Sequence, residues 1–162
     1  MKRKWILATA IGLLSLVVTA SVVLATPGSG FTAVQQWKGV FDDINLQVVD
    51  MPAHVVKIKT KGVSDVYVTR NAIAPSGHSG WHTHPGPSLV IVTEGEVLVY
   101  DGDDLSCTPA HYTVGQGFVD EGGGHVHLVE NASDTEVAET VAVQFLPEGA
   151  TRRIDMPDPG NC

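Results

Sequence analysis

Cysteine is scarce in this chain: two among 162 residues, Cys107 and Cys162. That number excludes a cysteine-rich zinc cluster and a disulfide-dense scaffold. Positive charge is scarce as well. Ten Lys and Arg stand against 18 Asp and Glu, a net charge of −8, and three of the ten fall within the first four residues. So acidic a chain lacks the basic face that grips phosphate, which argues against a nucleic-acid partner. There is no phosphate-cradling glycine loop, no GxSxG nucleophile elbow and no helical HExxH. Beyond the first 25 residues no window carries a convincing 3.6-residue apolar period.

What is present is enough for one folded domain. Apolar residues make up 43% and charged residues 17%, a balance that buries a core and excludes global disorder. Gly (17) and Pro (9) punctuate the chain with turns. Its start reads differently: Met1-Lys2-Arg3-Lys4, then Trp5 to Ala25 without a charge, closing on Val23-Leu24-Ala25 before Thr26-Pro27-Gly28. This is the positive, apolar and small-residue order of a signal peptide, residues 1–25, with cleavage after Ala25. The alternative is an uncleaved membrane anchor, since the run is long enough to span a bilayer. Both place the domain outside the cytoplasm, periplasmic or secreted, with no other membrane contact. In an oxidising compartment the two cysteines read as a disulfide that pins the tail, residues 151–162, to the Cys107 loop; two free thiols are the alternative.

Residues 26–45 read as a linker and lead-in segment. After it come short apolar runs, several with period 2, as in Val66-Tyr67-Val68-Thr69. Strands are expected at 46–49, 55–60, 65–73, 88–93, 96–100, 111–114, 117–120, 125–130 and 137–146. Glu94-Gly95 makes a tight turn between two of them. Val34–Phe41 suits a short helix or a strand. Many short strands with turn signals between them predict an all-β, single-domain sandwich or barrel over residues 46–150.

Four of the seven histidines form two His-x-His pairs, His82-Thr83-His84 and His125-Val126-His127. Residues i and i+2 of a strand share a face, so each pair can present two imidazoles to one side. Imidazole suits iron, manganese, zinc, copper and nickel. A divalent transition metal held by His82, His84, His127 and His125 is therefore expected.

The residues around these pairs resemble the cupin family. Gly80-Trp81-His82-Thr83-His84-Pro85-Gly86-Pro87-Ser88, with Gly95 beyond, resembles the first cupin motif. Gly115 or Gly117, then Gly122-Gly123-Gly124-His125-Val126-His127 and Asn131, resembles the second. The resemblance covers roughly residues 65–146 and implies a jelly-roll barrel with His82, His84 and His127 as metal ligands. Two departures stand out: Ser88 occupies the place of the first motif's carboxylate, and Gly122 that of the second motif's proline. Three-histidine centres without the carboxylate occur in the family among thiol dioxygenases, so oxygen chemistry stays open. His125 is an extra, either a fourth ligand replacing the carboxylate or a residue orienting substrate. Ser88 reads as a structural hydrogen-bonder.

The other candidates have simpler readings. His54 and His111 are expected on exposed strand faces, His78 in a loop near the site, and Trp81 in the core or at the rim. Glu121 lies in the turn before the second pair. Asp101, Asp103 and Asp104 form a solvated turn, since they lack the glycine and glutamate of a calcium loop. Val90, Val92, Val97, Val99, Val129 and Phe145 are expected to line the barrel. The function expected is that of an exported metal-binding cupin acting on a small molecule, with dioxygenase- or isomerase-like chemistry open. A non-catalytic small-molecule or metal binder is the alternative. A homodimer is compatible with the sequence.

Overall fold

The computed structural model describes residues 25–51 and 54–162. The expected signal peptide falls outside them, apart from Ala25. Twelve strands follow in order: β1 (Ser29–Phe41), β2 (Asn45–Met51), β3 (His54–Lys59), β4 (Ser64–His78), β5 (His82–Thr83), β6 (Ser88–Glu94), β7 (Glu96–Asp101), β8 (Ala110–Thr113), β9 (Gly117–Asp120), β10 (His127–Asn131), β11 (Ala138–Pro147) and β12 (Ile154–Asp155). No helix occurs among the described residues.

Every pairing is antiparallel. One layer runs β1-β4-β11-β6-β9 and the other β12-β5-β10-β7-β8. They join where the end of β4 meets β10, at His78 and Glu130. The result is a nearly closed double-sheet barrel, the all-β jelly-roll architecture. Ile73, Val92, Val97 and Ala138 form its core, with Phe31, Val99, Tyr112, Phe118 and Val129 packed around them. Those residues come from both layers, so the sheets meet face to face.

Strand alternation decides what enters the barrel. On β6, Ser88, Val90 and Val92 are buried while Leu89 and Ile91 are half exposed. On β11, Ala138, Thr140, Ala142, Gln144 and Leu146 are buried. Phe145, expected inside, takes the opposite pleat and lies beside Pro87 and Leu89 in an outer groove. The interior is thereby graded. Apolar side chains fill the end near Val92 and Val97, and Ser88, Gln144, Asp120 and the histidines gather at the other.

Residues 29–41, within the expected lead-in segment, form the long strand β1 paired along β4. Of the two alternatives for Val34–Phe41, the chain adopts the strand. β2 and β3, by contrast, pair only with each other and form a hairpin outside the main sheet.

Candidate metal centre

His82 belongs to β5, and His84 follows it in the loop leading to β6; His127 opens β10. The register sets His127 opposite His82. Backbone contact then locks the two motif loops together. The Gly123 N–H donates to the His84 carbonyl at 2.7 Å. Gly122, at φ 63°, lies so close to Gly86 that a Cβ on it would stand 2.2 Å from the Gly86 carbonyl oxygen. A left-handed backbone with no room for a side chain requires glycine, which accounts for Gly122 where the motif usually has proline.

All three imidazoles are buried, at 4%, 8% and 5% exposure for His82, His84 and His127. Each offers a nitrogen within 4.8 Å of the others. The ring centroids of His82 and His84 lie 4.9 Å apart, and those of His82 and His127 4.2 Å apart. Main-chain carbonyls fix two of the rings. His82 Nδ1 donates to the Gly80 carbonyl at 2.9 Å, and His84 Nδ1 donates to the Arg152 carbonyl. Because a carbonyl only accepts, both rings carry a proton on Nδ1, so that Nε2 is the atom each can offer a metal. Burial pushes the His82 imidazole down to about 2, helped by the neighbouring His127, Arg153 and His84. Burial likewise lowers His127 to about 4, against the opposing pull of Asp120. Neutral imidazole is the metal-binding form, and this donor set suits a divalent transition metal.

The sequence reading did not single out Asp120. It closes β9, is 4% exposed, and stands across the ladder from Ser88. The Ser88 hydroxyl donates to Asp120 Oδ2 at 3.2 Å, and the Gly122 N–H donates to Oδ1 at 3.0 Å. Asp120 Oδ2 lies 3.4 Å from His84 Nε2, and Oδ1 lies 3.4 Å from His127 Nδ1. The one signal in the sequence is an acid in the last, inward position of a short strand. The side-chain amide of Gln144 completes this polar end, 3.4 Å from the Ser88 hydroxyl.

His125 stands differently. β10 begins only at His127, so period-2 alternation does not reach back to it. Its ring stacks over His127 with centroids 6.4 Å apart, and its Nε2 lies 3.1 Å from Asp101 Oδ1, toward solvent. Trp81 is buried. His54 and His111 are exposed on strands, as is Glu121 in its turn. His78 ends β4, where its Nδ1 accepts the Gly80 N–H.

The centre opens into a cavity of about 80 Å³ lined by Phe31, Val90, Phe118 and Val129 among others. That is room for a ligand of a few heavy atoms. Val90 and Val129, expected to line the barrel, do line the cavity. Arg152 and Arg153, just ahead of β12, form part of its wall. Each keeps one buried terminal guanidinium nitrogen without a hydrogen-bond acceptor among the described residues. The cysteines are joined: Cys107 and Cys162 form a disulfide with Cα atoms 5.3 Å apart.

No protein-family model matches the chain, and no curated protein matches it significantly. Among solved structures it is similar to a cupin-like protein from Thermotoga maritima, at 17% identity and a TM-score of 0.49, over 57% of this chain and 65% of that one. It is also similar to oxalate decarboxylase of Lactobacillus farciminis, at 19% identity and a TM-score of 0.48, over 56% of this chain and 26% of the other. An oxalate oxidase shares 25% identity over 56% of this chain and 46% of its own, with a TM-score of 0.46. The chain thus spans between about a quarter and two-thirds of the length of these structures.

Proposed function

We propose that this is an exported cupin-type domain that holds one divalent transition metal at His82, His84 and His127 and acts on a small anionic molecule in the adjoining cavity. The observation that carries the reading is the convergence of three buried imidazoles, two of them fixed by carbonyls acting on Nδ1. Buried rings held in place beforehand bind metal with little reorganisation. The disulfide accords with export, because such bonds persist in oxidising compartments.

A metal bound here supplies Lewis-acid polarisation of a substrate oxygen and, if redox-active, electron transfer. The chain's own residues do the rest. Phe31, Val90, Phe118 and Val129 exclude water. The unpartnered N–H groups of Arg152 and Arg153 suit an anion such as a small carboxylate, which accepts from a guanidinium fork. Arg153 is itself held in place, since its guanidinium donates to the Ser79 carbonyl at 2.6 Å and to Asp155 Oδ1 at 2.6 Å.

Elemental analysis of the purified protein tests the metal, with about one equivalent expected and none overturning the reading. Calorimetric titration of the loaded protein with mono- and dicarboxylates tests the substrate class. Binding that Arg153→Met abolishes is expected; equal binding of neutral analogues would count against an anionic substrate.

A further inference from the structure

Among the described residues, Asp120 is the only acid in the lining of the cavity, and its surroundings do not fit an ordinary hydrogen-bonding role. His84 Nδ1 donates to the Arg152 carbonyl, and its other nitrogen, Nε2, faces Asp120 Oδ2 at 3.4 Å. On the other carboxylate oxygen, His127 Nδ1 stands at 3.4 Å and is buried without a hydrogen-bond partner among the described residues. Charge-assisted N–H···O bonds run at about 2.7–2.9 Å, so neither contact is one. Meanwhile Ser88 and Gly122 each donate to one oxygen. They orient the carboxylate and leave on each oxygen a lone pair directed at a histidine nitrogen. A buried carboxylate and two imidazole nitrogens that converge at distances too long for a hydrogen bond suit a shared cation.

We propose that Asp120 is the fourth, anionic ligand of the metal centre, delivered from β9 across the ladder from Ser88. This rests on the three-histidine reading above. A carboxylate missing from position 88 is thereby restored by that residue's register partner, 32 positions further along. Ser88 becomes the hydroxyl that holds the ligand. An oxygen donor of this kind moves the preference of the centre toward manganese and iron(II) and away from all-nitrogen copper chemistry. The proposal gives His125 no place in the shell: its Nε2 pairs with Asp101, while its Nδ1, unpartnered among the described residues, stands beside the Asp120–His127 pair.

Titration of the full, metal-stripped chain with Co²⁺ tests this, because the visible bands of the ion report the ligand set directly. Asp120→Asn keeps the size of the side chain and removes its charge. It should weaken Co²⁺ binding by about 100-fold or more and alter the spectrum, since even an orienting residue is worth roughly 10–100-fold. His125→Ala should change neither. A wild-type spectrum in Asp120→Asn, whatever the affinity, overturns the proposal and leaves the three-histidine site intact; so does a His125→Ala spectrum altered in the way that of His127→Ala is. Failure of the wild-type protein to take up Co²⁺ overturns both readings. Should Asp120→Asn not fold, the infrared difference spectrum of wild-type protein with and without Co²⁺ decides. A ligating aspartate shifts its carboxylate stretches, and unchanged stretches refute the assignment.

Discussion

Ser88 and Asp120 face each other across the β6–β9 ladder, and the hydroxyl of the first donates to the carboxylate of the second at 3.2 Å. Both are buried beside the cavity, so this hydrogen bond is shielded from bulk water. Ser88→Ala should cost about 1.5–3 kcal/mol, the usual worth of a buried hydrogen bond to a charged group. Urea unfolding of the apo protein measures it, and a cost below about 0.5 kcal/mol, the floor for an ordinary hydrogen bond, would mean that the bond does not form.

Replacing any one of His82, His84 or His127 by Ala should lower metal content sharply, because two remaining imidazoles cannot close a stable coordination shell. His54→Ala and His111→Ala are the controls. Both histidines are exposed, and His111 meets Glu96, at 2.8 Å. Elemental analysis of the five variants should separate three depleted proteins from two at wild-type content.

Acid should destabilise the apo protein in a window set by the histidines. His82 and His127 titrate at about 2 and about 4 in the fold but near 6.5 in the unfolded chain. Below about pH 6.5 the unfolded state therefore binds more protons, and stability falls as pH falls. The slope approaches about 1.4 kcal/mol per pH unit for each group. Asp65 is held below its ordinary value by Lys38 and the Gly149 N–H. Its contribution is present above the unfolded carboxylate value and is lost only at lower pH, as the folded carboxylate protonates. Between about pH 6.5 and 4.5, above the carboxylate range, the loss should thus vanish in a His82→Gln, His127→Gln double variant, which unfolding curves at each pH can show.

The Cys107–Cys162 bridge closes a loop with a sequence separation of 55. Loop entropy alone sets an upper figure of about 4 kcal/mol for its removal. Cys162→Ser should approach that figure in denaturant unfolding and free the last residues, which Asn161 otherwise holds to the Gly102 and Asp104 carbonyls. Peptide mapping under non-reducing conditions should recover one linked pair, and two alkylatable thiols would contradict it.

Gly122→Ala and Gly123→Ala form a matched pair, since the two residues have φ of 63° and 64°. A Cβ on Gly122 meets the Gly86 backbone at 2.2 Å, whereas one on Gly123 meets nothing within 4 Å. Gly123→Ala should cost only the conformational strain, about 1–2 kcal/mol. Gly122→Ala should cost more and also reduce metal content, because it parts the two motif loops. Equal melting temperatures in the two variants would show that the contact has no such role.

Much of this was legible in the chain. The nine expected strands correspond to β2, β3, β4 and β6 to β11, because apolar residues alternate there and Gly, Asn or Asp interrupt them. The histidine triad could be read from the two motifs rather than from strand geometry, since His84 lies in the loop after β5 and His125 in the one before β10. β1 was ambiguous for a physical reason: it is exposed along nearly its whole length and bulges between Gln35 and Trp37, so burial imprints no period on it. Asp120 was hidden because its significance lies in register. Nothing near it in the chain indicates that Ser88 will be its neighbour. His125 was placed on the face of His127 as a strand neighbour; β10 starts two residues later, yet the preceding loop keeps a His125 ligand atom within 4.8 Å of those of His127 and Asp120.

Arg152 and Arg153 follow every other residue of the centre in the chain. The carbonyl that orients His84 and the guanidinium anchored on Ser79 are therefore the last parts of the site to be synthesised. The Nδ1 proton of His84 thus has its partner in the segment that the Cys107–Cys162 bond ties to the rest of the domain. Reduction of that bond should accordingly loosen the alignment of His84 as well as the tail itself.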